Sequence, residues 1–353
     1  MTVYLVNIFL ILFFGYVFLY KNKSEHNAKV YCGIVALQWI LVSGLRHISV
    51  GDDTEEYWLK FENTKSVSWS QLFSDIWDYL FNGLDIKDPG YPLFEKIFQI
   101  FCDNYQIYLI FIATIFTTIM AIWIYKNSAD PCFSFVLYSS LFYAFYAVTG
   151  HRQTIATAVI VFWGYKYIKE RKLIKFAILA FIAFLLHKSS IVFIPFYFIA
   201  NIPITTPYII IAIVVIATVV FLGRPLYGEI AEWMGFSEEQ ITYEGGGAET
   251  YAVILILVSL VTLFCYYFYK DRTEKATHIF NITLLTLMSS FLVIQNQGFM
   301  RVQQYYSLFL MMSFPEVILS FDKKGRKLVY FVTIMVLVLY LMRNNPQYQF
   351  FWQ

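Results

Sequence analysis

Charge is what this chain has least of: only 14% of its 353 residues are charged, against 59% hydrophobic and 20% aromatic. Soluble globular proteins carry about 25% charged residues. The shortfall excludes that class and marks an all-α polytopic membrane protein. Cysteine is scarce as well. The four present (Cys32, Cys102, Cys132, Cys265) are scattered, with no C-x-x-C pair and no metal-like spacing, and read as small core hydrophobes. No G-x-x-x-x-G-K-[ST] marks an ATP-driven pump, no H-E-x-x-H or clustered His and Cys marks a metal, and no G-x-S-x-G marks a nucleophile elbow. Neither a metal nor another cofactor is therefore expected. The net charge of +2 points to no nucleic-acid partner. The first apolar run, Val3 to Tyr20, has no basic residue before it and no small-residue cleavage site after it, so it is read as a spanning helix rather than a signal peptide.

Apolar runs are what the chain has instead. Stretches near the length of a membrane crossing, about 17–25 residues, fall at 3–20, 28–45, 106–125, 132–149, 153–169, 173–187, 189–201, 207–222, 251–269, 276–294, 302–320 and 328–342. These give about twelve transmembrane helices. The run 189–201 is short and contains Pro195, as a broken helix lining a cavity would. With no internal repeat and no low-complexity linker, residues 1–353 read as one integral membrane domain. Basic residues then fix the orientation. Lys21, Lys23 and Lys29, then Lys169, Arg171, Lys172 and Lys175, then Lys270, Arg272 and Lys275, then Lys323, Lys324, Arg326 and Lys327 all fall on one side of a twelve-span chain, taken as the cytoplasm. Removing one early span would scatter them over both sides. The opposite face receives both termini and two acidic segments, 46–105 and 223–250. Within the first, 67–103 reads as interfacial amphipathic helices forming an external lid or platform. Within the second, "EGGGAE" at Glu244 to Glu249 reads as a flexible tip.

A charge near the bilayer centre costs about 2.5 kcal/mol or more on insertion scales, so charges at span ends need a reason. Arg46–His47 ends the second span, His151–Arg152 begins the fifth, His187–Lys188 closes the sixth and Arg301 opens the eleventh. By this topology all four lie at the extracytoplasmic edge. Snorkelling to headgroups is one explanation for each alone. Three arginines on the face where cations should be rarest point instead to an anion that guanidinium forks grip bidentately, such as a pyrophosphate carried by a lipid. "GLRHISVGDDTEEYW", from Gly44 to Trp58, adds carboxylates beside them. On a helix Asp53 and Tyr57 share a face near Trp58 and Phe61, a pairing suited to sugar hydroxyls and C–H faces, while Asp52, Glu55, Glu56 and Glu62 spread more widely. A solvated surface helix fits the same spacing. His187 reads either as a satisfied interfacial histidine or as a base working near neutral pH.

Taken in order, "GLRHISVGDDTEEYWLKF", "GHRQTIATAVIVFWGYKYIKERKLIKFAILAFIAFLLHKSSIVFIPFYF" and "GFMRVQQYY" resemble the EpsG-like branch of Wzy-type exopolysaccharide, O-antigen and capsule polymerases over most of residues 40–310. The matching positions are Arg46, Gly51, Asp53, Thr54, Tyr57, Arg152, Gln153, His187, Ser189, Arg301 and Tyr305. Asp52 stands where Thr is more usual, which leaves open which aspartate matters. The resemblance implies a GT-C-like architecture and a metal-independent glycosyltransferase. Such an enzyme moves a growing glycan from undecaprenyl pyrophosphate onto a lipid-linked repeat unit at the outer face of the bacterial plasma membrane. Its expected partners are the lipid-linked donor and acceptor and membrane lipid, with a chain-length regulator left open. Arg152, Arg301 and Arg46 would hold the pyrophosphate, and His187 or Asp53 would accept the proton. Asp52, Tyr57, His47, Gln153, Lys188 and Tyr305 would bind substrate. A lipid-linked oligosaccharide flippase, an O-antigen ligase and a polysaccharide acyltransferase are the alternatives.

Overall fold

Ser24, Ser68, Asn104, Asp130 and Thr273 each precede a helical run, and each side-chain oxygen accepts a hydrogen bond from the backbone N–H three residues on. Such caps satisfy donors that the first turn of a helix leaves unpaired. Helix starts in this chain are thus written locally. The computed structural model describes residues 1–21, 23–233, 248–268, 273–344 and 346–353. It is 82% helix. Among the described residues there is no strand, only one antiparallel bridge between Arg46 and Phe350.

The chain forms two units, Met1–Ser190 with Val329–Gln353, and Ile191–Leu328. In the first, α1 (Thr2–Gly15) runs on through a π-helical turn and is followed by α2 (Glu25–Gly44). Three shorter helices come next, α3 (Thr54–Thr64), α4 (Trp69–Phe81) and α5 (Gly90–Gln99). Helix α6 (Tyr105–Asn127) packs along α2, and α7 (Pro131–Leu137) continues through two π-helical stretches to Thr149. Helix α8 (His151–Thr157) joins α9 (Gly164–Lys169) through a π-helical segment, Ala158–Trp163, and α10 (Leu173–Leu186) closes the series. The C-terminal residues return to the end of α2. Gln349 O accepts from His47 N at 2.9 Å, Phe351 N donates to Leu45 O at 3.0 Å, and Tyr348 Oη donates to Val42 O at 2.8 Å.

In the second unit the elements are α11 (Ile194–Ile199), α12 (Thr206–Trp233), α13 (Ala248–Phe268), α14 (Glu274–Gln295), α15 (Met300–Ser307) and α16 (Leu310–Leu319). Helix α14 is its centre. It packs on α13, α12 and α15, and its buried Asn281 donates to the carbonyls of Ile199, Ala200 and Ile202 past the end of α11. The last helix, α17 (Lys323–Asn344), starts in this unit, and its residues from Val329 on belong to the first.

Among the described residues five helices are long and apolar enough to cross a membrane: Thr2–Lys21, Tyr105–Asn127, Ala248–Phe268, Glu274–Gln295 and Lys323–Asn344. The chain is a membrane-embedded all-helical protein. Several other expected spans are interrupted. Stretches 132–149 and 153–169 alternate α and π geometry, and 189–201 is a 3₁₀ segment (Lys188–Phe193) followed by α11 with Pro195 in its first turn. Proline lacks the N–H that a continuous helix needs at that position, so the stretch breaks there. Of the expected loop 223–250, α12 covers residues up to Trp233, whereas 234–247, with the glycine-rich tip, lie outside the described residues, as do Lys270 and Arg272.

Candidate functional site

Gly51 begins the construction of the site. Its φ of +101° is a conformation that L side chains rarely adopt, and a Cβ there would lie 2.7 Å from Val148 Cγ1. The turn therefore closes onto the end of the α7 stretch. Thr54 Oγ1 lies 2.8 Å from Val50 O and 3.2 Å from Val148 O and shares its single hydrogen between the two carbonyls, which sets α3 with Tyr57 facing inward. The Tyr57 ring stacks on His151, centroids 4.5 Å apart at 21°, and its Oη accepts from Arg152 Nε at 3.3 Å.

A second approach brings in α5. A Cβ at Gly90 would lie 2.9 Å from the backbone carbonyl of Leu185, so the N-terminus of α5 rests against the end of α10. Asp88, two residues earlier at φ +53°, thereby reaches the residues that follow α10. Aspartate tolerates this left-handed geometry better than most residues. Asp88 Oδ2 receives Arg152 Nη1 at 2.9 Å and His187 Nδ1 at 3.0 Å, while Oδ1 receives Lys188 N at 2.8 Å. The carboxylate is 4% exposed. Burial alone would raise its pKa, but His187, Arg152 and the Lys188 N–H outweigh burial and hold it at about 2. An ionised Asp88 can only accept. His187 Nδ1 must then carry the hydrogen, which makes Nε2 the basic nitrogen. Among the described residues nothing bonds Arg152 Nη2.

Arg46 lies behind this group, 1% exposed. Its Nη1 donates to Ser43 O, and its Nη2 donates to Val148 O at 3.0 Å and to His151 Nε2 at 2.5 Å. Because a guanidinium has no acceptor, the neutral His151 carries its hydrogen on Nδ1. Arg46 is thus a buried support for His151, and through its ring for Tyr57.

The remaining sequence-derived residues are dispersed. His47 Nδ1 accepts from Ser49 N at 3.2 Å and faces Ser49 Oγ at 2.9 Å. Asp52 is exposed, and Asp53 stands half-buried at the N-cap position of α3 without a side-chain cap hydrogen bond. Gln153 is buried on α8, Lys188 is half-buried, and Arg301 and Tyr305 lie four apart on α15 of the second unit. Within the first unit, then, Arg152, His187 and the Lys188 backbone N–H meet around one carboxylate, Tyr57 joins through Arg152, and Arg46 lies one layer back. That carboxylate, Asp88, was missed by sequence reasoning, and "IKDPGYP" looks like a plain turn. The one local signal is an aspartate held in an Asp-Pro-Gly turn between aromatic amphipathic helices. The sequence places His151 at the head of the fifth apolar run without pointing to a role. Glu95 on α5 was also missed: it is fully buried, faces Thr64 Oγ1 at 3.0 Å, and burial raises its pKa to about 8.

Compared with known families, residues 29–353 match the model of the EpsG family. Neither a curated protein nor a solved structure matches the chain.

Proposed function

Because the chain belongs to the EpsG family, whose members are exopolysaccharide- and O-antigen-polymerase-like, we propose that it is a metal-independent glycosyltransferase that lengthens a surface polysaccharide. The donor is a glycan on undecaprenyl pyrophosphate and the acceptor a lipid-linked repeat unit, at the outer face of the bacterial plasma membrane. The reading takes the chain as a twelve-span, GT-C-like protein with its basic loops in the cytoplasm. A single observation carries it: one buried carboxylate, Asp88, holds a guanidinium (Arg152) and an imidazole (His187) side by side. Leaving-group stabilisation and proton removal are the two tasks that glycosyl transfer from a diphosphate requires.

In this reading His187 Nε2 takes the proton of the acceptor hydroxyl as its oxygen bonds the anomeric carbon. The bond from that carbon to the diphosphate oxygen breaks, the electron pair stays on the diphosphate, and Arg152 meets the added charge through Nη2. Guanidinium supplies the positive charge that a metal supplies elsewhere. Asp88 fixes the His187 tautomer and the Arg152 fork, and Tyr57 holds Arg152 from the other side. His47, Asp52 and Asp53 contact sugar hydroxyls, and Gln153 and Lys188 line the approach. Arg301 keeps the pyrophosphate-binding role, and Tyr305 the substrate-binding role, that the family resemblance implies.

The test is to supply purified protein with a lipid-linked oligosaccharide and resolve the products on a gel. A ladder of lengthening products supports the reading. One new species identifies a ligase, and movement across the bilayer without chemistry identifies a flippase; either result overturns it.

A further inference from the structure

At the far end of the first unit lies a cavity with a chemistry of its own. Helix α6 starts at Tyr105, whose Oη donates to Thr54 O beside the site, and ends about 33 Å away at Asn127. The α8–α9 stretch likewise leads from His151 to Lys169. Between these two distal ends is a cavity of about 590 Å³. Trp123, Phe162 and Tyr165 form its buried floor. Ile122 and Trp163 stand exposed at its open side, Trp163 by 50%. Phe162 and Trp163 are neighbours in the π-helical segment, which sends one ring inward and the other out. Such π segments recur at functional sites.

Lys126, Lys166 and Lys169 line the end of this cavity nearest the helix termini. Lys169 is positioned: its Nζ donates to Asn127 Oδ1 at 3.0 Å and sits 5.1 Å over the Tyr165 ring. Among the described lining residues the one carboxylate, Glu170, pairs with Lys172 at 2.7 Å and lies 3.9 Å from Lys166. Among the described residues Lys126 has no carboxylate partner. Positive charge is therefore in excess where the apolar cavity ends.

We propose that this cavity binds one anionic glycerophospholipid of the leaflet opposite Arg152, with its phosphodiester among Lys126, Lys166 and Lys169 and its acyl chains on Trp123, Phe162 and Trp163. The complementarity is of two kinds in one site. A soluble phosphate would leave the aromatic floor uncovered, and a zwitterionic lipid would bring a cation of its own to three lysines. Basic pockets between membrane helices hold acidic headgroups on this principle. The inference does not depend on the polymerase reading.

Phosphatidylglycerol and phosphatidylcholine are titrated separately into the full-length protein in neutral detergent, and bound lipid is counted by native mass spectrometry. The site predicts one tight phosphatidylglycerol per chain, at least fivefold tighter than phosphatidylcholine. Each lysine replaced by alanine weakens it about fivefold, so Lys126→Ala with Lys169→Ala weakens it more than tenfold. Lys65→Ala, on the extramembrane helix α3 region, changes nothing. Should the double variant aggregate, Lys126→Ala and Lys166→Ala singly carry the same test. Equal retention of both lipids, retention unchanged by the substitutions, or competition by glycerol 3-phosphate as strong as by the lipid each overturns the proposal.

Discussion

Asp88 decides what two neighbouring side chains can do. Without its charge, His187 loses the acceptor that fixes its tautomer and Arg152 loses its closest partner. Asp88→Asn keeps the volume and is expected to lower the rate of chain lengthening by about a hundredfold to ten-thousandfold while the protein remains folded. Initial rates at equal amounts of monodisperse protein check this. Arg152→Lys is no conservative change, because a single ammonium point charge lacks the planar fork that reaches Asp88 through Nη1 and Tyr57 through Nε at once. It should fall close to Arg152→Ala in activity. Arg46 behaves differently. Its substitution removes donors from Val148 O and His151 in a dry setting and should destabilise the protein before it alters binding, seen as a lower melting temperature. The Asp88 carboxyl also gives a pH signature. Its folded pKa of about 2 lies below the ordinary value of 3.8, so its stabilisation is complete above about pH 4 and is lost as pH falls toward 2. About 2 kcal/mol is at stake, and Asp88→Asn should flatten that part of the acid melting curve.

At the scale of elements, α3 and α5 are tied by Thr64 and Glu95. Thr64 Oγ1 lies 2.9 Å from Lys60 O and 3.0 Å from Glu95 Oε2, yet a hydroxyl has one hydrogen. The arrangement closes if Thr64 donates to Lys60 O and a protonated Glu95 donates to Thr64. Burial, which raises the Glu95 pKa to about 8, agrees. The folded state then holds a proton that the unfolded chain releases near pH 4.5, so stability falls as pH rises from there through about 8. Glu95→Gln reproduces the neutral acid. It should melt like the parent at pH 5 and higher than the parent at pH 8.5, on the order of 3 kcal/mol. Identical curves at both values would show that Glu95 is ionised in place. Gly90 supplies a second element-scale test. A methyl group there meets the Leu185 backbone, which cannot yield as a side-chain tip does, so Gly90→Ala should shift α5 and draw Asp88 from His187. Chain lengthening should drop at least tenfold with helical content unchanged by circular dichroism.

Across the whole molecule, long uniform apolar runs were legible in the sequence. The runs 106–125, 251–269 and 276–294 correspond to Tyr105–Asn127, Ala248–Phe268 and Glu274–Gln295, because nothing within them competes with helix. The interrupted stretches were not legible: a π-helical turn leaves the apolar count unchanged, and only Pro195 and Gly150 hint at a break. Arg152, His187 and Tyr57 stood out as ionisable or aromatic groups at span ends. The partner that Arg152 and His187 share did not, since Asp88 lies 99 residues from His187 and acquires meaning only when Gly90 docks on Leu185. The charge of Arg46 was visible in the sequence and its burial was not. The proposed orientation has its own test. In a variant lacking Cys32, Cys102, Cys132 and Cys265, Ser70→Cys should react with a membrane-impermeant maleimide on intact cells, and Arg171→Cys only after permeabilisation. The reverse pattern inverts the topology.

The most direct measurement compares the parent with Asp88→Asn, His187→Ala and Arg152→Ala on one lipid-linked oligosaccharide, with products resolved by length at equal membrane levels. A ladder from the parent and none from the three variants is the predicted result. Parental chain lengths from all three variants would contradict the assignment of this carboxylate, imidazole and guanidinium as the centre of the reaction.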